Sequence, residues 1–177
     1  MADAVIPRWH GDDYQSRFFW LHAAALRDPQ RPDVVEVTFE AKEPKAFDDV
    51  VVRYDPGRPS SGPYRITVDY HQVKWHSDHS GHFGYERLID PDFVGGKTFS
   101  ILQRLAQAKA NPNVPKEAAF TLVTTDQITQ GDVLGELCPY LCSFGCSCPC
   151  VDVLCGLAGE SAAVEEDALV VAESLCA

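Results

Sequence analysis

A chain of 177 residues with 45% apolar residues is long enough to bury one domain-sized core, which excludes an intrinsically disordered polymer. The formal net charge of −11 misleads as an average: all 15 Lys and Arg, all 6 His and all 3 Trp lie in residues 1–116, whereas residues 117–177 hold 10 acidic residues, no basic residue and all 7 Cys. So sharp a change joins two kinds of sequence, an expected folded domain over 1–125 and a Cys-rich acidic tail over 126–177.

Met1 to His10 contains no apolar run of the secretory kind, so the expected location is the reducing cytoplasm. Gly11-Asp12-Asp13 reads as a helix start, with acidic residues favoured by the N-terminal dipole. Tyr14, Phe18, Leu21 and Ala25 then recur at helical spacing up to Asp28-Pro29. Val35, Val37 and Phe39 alternate with polar residues and predict a first strand. Asp49 to Tyr54 predicts a second. Asp55-Pro56-Gly57 through Pro63 reads as a turn-rich connection, and Tyr64 to Trp75 as a third strand. His76 to Gly96 reads as a loop. Lys97 to Ala110 carries Phe99, Leu102, Leu105 and Ala106 at helical spacing, stopped by Asn111-Pro112, and Glu117 to Thr124 predicts a fourth strand. Val133 to Leu157 is too interrupted by charges, prolines and glycines to cross a membrane, so no membrane partner is expected.

The chemistry concentrates on Gln72-Val73-Lys74 and Asp48-Asp49. Residues two apart on a strand share a face, so Gln72 and Lys74 project together, with Val73 opposite. If the Asp49 strand pairs beside them, a carboxylate, an amide oxygen and an ammonium converge. Phosphodiester hydrolysis asks for such a set: a metal to polarise the phosphoryl oxygen, a positioned water, and positive charge where negative charge develops. Asp49 is the first choice of metal ligand and Asp48 the fallback, because alternation sends Asp48 to the other face. Gln72 supplies only a neutral oxygen, so a further carboxylate is expected, Glu40 before Glu43. Lys74 would orient the water and stabilise the transition state. Each motif also has an ordinary reading: Gln-x-Lys as a solvated strand face, Asp-Asp as turn chemistry, Tyr14-Gln15 as a core aromatic beside an exposed amide. His76, His79 and His82 imitate a zinc site but lack a helical frame, and a polar loop on the substrate side suits them better. Lys97 and Arg104 could meet a phosphate backbone or simply face water.

Gly11-x-x-Tyr14-Gln15, the acidic strand end at Glu40, Asp48-Asp49 and Gln72-Val73-Lys74, in a helix, three strands, helix, strand order, together resemble the PD-(D/E)xK nuclease superfamily. Within it, the likeness is to the endonuclease effector domains of bacterial antiphage (CBASS-type) defence proteins, and it covers roughly residues 11–125. The resemblance implies an α/β fold with a restriction-endonuclease-like core, Mg²⁺ as cofactor, and double-stranded DNA as substrate. It places Asp49, Gln72, Lys74 and Glu40 as catalytic, with Asp49, Gln72 and Glu40 around the metal and Gln15, His76 and Lys97 toward the substrate. Such domains usually precede a sensor or ATPase module. No such module is read in residues 126–177, and residues 1–116 are close to neutral, so a missing partner domain or homo-oligomerisation is expected to supply DNA affinity. The competing reading is an inactive remnant or interaction module of the same fold.

Six cysteines crowd between Cys138 and Cys155. A thiolate metal cluster is the pointed reading and defines a third functional class, a small Cys-rich metal-binding protein. The single-residue gaps of Cys146-Ser147-Cys148-Pro149-Cys150 and the lack of paired C-x₂-C knuckles argue against it. The plainer expectation is a poorly ordered tail, with the composition that out-of-frame translation of a GC-rich gene produces.

Overall fold

The computed structural model describes residues 5–60, 63–76 and 82–134, and two dipeptides at 155–156 and 169–170. Helix α1 (Val5–Ala25) leads into strands β1 (Val34–Phe39), β2 (Val50–Pro59) and β3 (Arg65–Lys74). A short β4 (His82–Phe83), helix α2 (Tyr85–Ile89) and a 3-10 turn (Pro91–Val94) precede helix α3 (Ile101–Lys109). Strand β5 (Ala118–Thr124) and a short β6 (Gln127–Ile128) follow, and the dipeptides β7 (Cys155–Gly156) and β8 (Leu169–Val170) pair with each other.

The main sheet has the order β1-β2-β3-β5. Strands β1, β2 and β3 form an antiparallel meander, and β5 joins β3 in parallel, Val68 opposite Ala118 through Lys74 opposite Thr124. The chain is thus α/β with a four-stranded mixed sheet. Period-2 alternation sorts the two faces. Val50, Val52, Tyr54, Val73 and Val123 pack under Tyr14 and Phe18 of α1. Val51, Val68, Tyr70, Phe120 and Leu122 pack with Leu88, Phe93, Val94, Ile101 and Ala108 from the other side. β5 is buried along its whole length because both faces are covered.

Four expectations on local structure need correction. Helix α1 begins at Val5 rather than at Gly11-Asp12-Asp13. Gly11 sits inside the helix at a cost of about 1 kcal/mol, Asp13 pairs with Arg17 at 2.9 Å one turn on, and the apparent cap is helix interior. Strand β2 runs on through Asp55-Pro56-Gly57 instead of turning there. A bulge absorbs the break, with the register against β3 shifting between Arg53 and Arg58 and Gly57 at φ 107°. The segment expected as loop holds β4, α2 and the 3-10 turn, organised by burial of Phe83, Leu88, Phe93 and Val94. Helix α3 starts at Ile101, not Lys97, because Ser100 makes a capping box: its hydroxyl accepts from Gln103 N–H at 3.3 Å, and Gln103 Oε1 accepts from Ser100 N–H at 2.9 Å. No helix among the described residues is long and apolar enough to cross a membrane. The Cys-rich segment from Cys138 lies outside the described residues, apart from the backbone pairing of Cys155-Gly156.

Candidate functional site

The register of β2 on β3 sets the centre of the site. Val50 stands opposite His71, so Asp49, one residue before β2, faces Gln72 across the ladder. The side chains meet: Gln72 Nε2 donates to Asp49 Oδ2, and Val73 N–H donates to the same oxygen at 2.7 Å. Gln72 is 4% exposed, whereas Lys74, two residues on along the same face, is half-buried at the strand end. Burial pushes the Asp49 carboxyl up to about 6; the Val73 N–H bond and the Lys74 ammonium pull it down, and the Asp48 and Glu40 charges push it up. Asp49, Gln72 and Lys74 therefore share one face and one electrostatic environment.

Glu40 ends β1 opposite Asp49, and its N–H donates to the Asp49 carbonyl at 2.9 Å. It is exposed, and its backbone sits at φ 47°, the left-handed region that non-glycine residues rarely occupy. Asp48 is committed to the turn: its Oδ1 accepts from Ala46 N–H at 3.0 Å and its carbonyl from Ala41 N–H at 2.7 Å.

The other expected residues are dispersed. Gln15 lies half-buried on α1, the helix covering the opposite face of the sheet. Lys97 is exposed in the bend before the Ser100 cap, not on α3, and Arg104 Nε donates to the Phe99 carbonyl at 3.3 Å. His76 lies just past β3, and His79 falls outside the described residues. Among the described residues no group of three or more His, Cys, Asp or Glu side chains is placed to hold a metal ion.

Sequence reasoning missed two buried polar clusters. Asp69 in mid-β3 accepts from Arg58 Nη2 and Nε, each at 2.6 Å, and from the Tyr54 hydroxyl at 2.8 Å. Beneath α1, His71 Nδ1 donates to the Val50 carbonyl at 3.0 Å, and its ring lies 5.1 Å from those of both His22 and Phe18. The one signal for the first cluster was a lone acid inside an apolar alternating strand, which burial allows only with a partner. A third omission, Asp126 beside His76, had only the Thr124-x-Asp126 spacing to announce it.

Two comparisons bear on this chain. It is 55% identical over 137 residues to CD-NTase-associated protein 4 of Enterobacter hormaechei subsp. hoffmannii (strain UCI 50). The shared stretch is 77% of this chain and 27% of that protein, so the chain spans about a quarter of its relative's length. No family model matches.

Proposed function

We propose that residues 1–125 form a restriction-endonuclease-like domain that hydrolyses phosphodiester bonds in double-stranded DNA with Mg²⁺, as the effector part of a bacterial CBASS-type antiphage system. The observation that carries the chemistry is the convergence of Asp49, Gln72 and Lys74 on one face of the sheet. The defence setting rests on the similarity to a CD-NTase-associated protein, and the cytoplasm follows as the place where that chemistry meets DNA. A sensor or ATPase region, or a second copy of the chain, would supply the DNA affinity that the near-neutral residues 1–116 lack.

The donor set suits Mg²⁺. This cation is commonly held by one or two carboxylates and keeps several waters, so it does not need a cage of three acidic side chains. Asp49 is a carboxylate whose charge burial disfavours, and a cation relieves that penalty. Gln72 supplies its amide oxygen after a half-turn of the amide, and Glu40 adds charge from the adjoining strand end. Bound there, the metal would supply Lewis-acid polarisation of the phosphoryl oxygen. Lys74 orients the attacking water and stabilises the negative charge that develops on phosphorus-bound oxygen.

Plasmid cleavage in Mg²⁺ by the parent chain, Asp49→Ala and Lys74→Ala tests the reading. Each substitution is expected to lower the rate about a hundredfold or more. Parental rates in both variants would remove the site assignment, and no cleavage by the parent would favour an inactive module of the same fold.

A further inference from the structure

Beyond Lys74 the chain builds a second small constellation. Alternation places Gln72, Lys74 and His76 on one face, and extended pairing continues past β3: Thr125 N–H donates to the Lys74 carbonyl at 3.3 Å and His76 N–H to Thr125 Oγ1 at 3.1 Å. The His76 ring packs against Phe93, centroids 5.1 Å apart, and its Nδ1 lies 2.7 Å from Asp126 Oδ2. Asp126 is 8% exposed, and Thr124 holds it twice: its hydroxyl donates to Oδ2 at 3.2 Å and accepts from Asp126 N–H at 3.2 Å. His76 Nδ1 is sealed from solvent while 32% of the side chain stays exposed, so solvent reaches the side chain elsewhere than at Nδ1. The Oδ2 atom lies out of line with Nδ1–H, and a small ring rotation completes the bond, as commonly happens when substrate enters.

We propose that His76, positioned by Asp126, is the general base of the hydrolysis; this rests on the nuclease reading above. A carboxylate at Nδ1 favours the Nδ1–H tautomer and leaves the free lone pair on Nε2. Lys74 offers donors and no acceptor, and Asp49, which accepts from Val73 N–H, is committed to the metal in the reading above. His76 stands about 7 Å along the strand from Lys74, two residues on from the side chain that orients the water. Nε2 takes a proton from that water as its oxygen bonds to phosphorus. The bond from phosphorus to the leaving nucleotide oxygen breaks, the electron pair departs with that oxygen, and solvent protonates it. Asp126 stabilises the resulting imidazolium. Among the described residues, the charged groups beside the ring are Asp126 from the segment after β5 and Lys74 on its own strand. The 3-10 turn packed against it presents Phe93 and carries Asp92.

The test is single-turnover cleavage of duplex DNA across pH by the full chain, with His76→Gln, Asp126→Asn and Lys74→Ala, alongside ¹⁵N NMR of the His76 ring. His76→Gln is expected to cleave about a hundredfold more slowly at neutral pH. Asp126→Asn is expected to lower the saturating single-turnover rate with the half-saturating DNA concentration unchanged. The parental ring is expected as the Nδ1–H tautomer, reverting to Nε2–H in Asp126→Asn. A parent that cleaves, with Lys74→Ala inactive but His76→Gln at the parental rate at every pH, overturns the base and leaves the site reading standing. So does an Nε2–H tautomer in the parent. A parent that cleaves no DNA overturns both.

Discussion

Glu40 is an exposed, non-glycine residue held at φ 47°. That conformation costs an L-residue about 1–2 kcal/mol, and outliers of this kind gather where function requires a particular geometry. Here it ends β1 directly opposite Asp49. If Glu40 is kept for its charge, Glu40→Gly should raise stability by about 0.5–1 kcal/mol while weakening Mg²⁺ binding. Urea denaturation without metal, set beside a Mg²⁺ titration, measures both; a loss of stability would show that the side chain has a structural task. Gln72 poses the complementary question. It was legible as the face-mate of Lys74 because strand periodicity is a local rule, and its partner Asp49 followed once the two strands were paired. The pairing of His76 with Asp126 was not legible, since it joins residues brought together only by the parallel register of β3 and β5.

At the scale of elements, β3 carries two kinds of cargo. Its Tyr70 and Gln72 side supports the candidate site, and its other side holds Asp69 and His71 under α1. Asp69 is 5% exposed and joined to Arg58 and Tyr54, so removing it strands a guanidinium and a phenol. Asp69→Ala should cost about 3 kcal/mol, the low end for a broken buried pair, because the Arg58 side chain keeps 24% of its surface in water. A urea midpoint unchanged from the parent would mean that the pair is solvated in solution. Strands β1, β3 and β5 were readable from alternation and β-branched content. The continuation of β2 through Pro56-Gly57 was hidden because those residues signal a turn unless tertiary pairing makes a bulge of them. The start of α1 was hidden for the opposite reason: Asp12-Asp13 imitate a cap inside a longer helix.

Over the whole molecule, the sheet separates the half-buried His22 and the buried His71 from the candidate site on the other face. Burial, then the neighbouring His71, hold His22 down at about 4; burial lowers His71 as well. An unfolded chain takes up these protons near pH 6.5 and the folded chain resists them. Stability is thus complete above about pH 6.5 and falls as pH drops toward 4, by on the order of 3 kcal/mol from His22. Stability from urea unfolding at pH 7.5 and pH 5 should show about 2 kcal/mol of that loss in the parent and a smaller one in His22→Gln; equal losses would assign the acid sensitivity elsewhere. The division of the sequence near residue 125 was visible in composition, because charge and cysteine content need no folding to be read. If Asp49 and Gln72 form one cation site beside Lys74, the melting temperature of Gln72→Glu depends on Mg²⁺. Two facing carboxylates should melt below the parent in chelator and regain the loss when Mg²⁺ is added. A melting temperature indifferent to Mg²⁺ would contradict it.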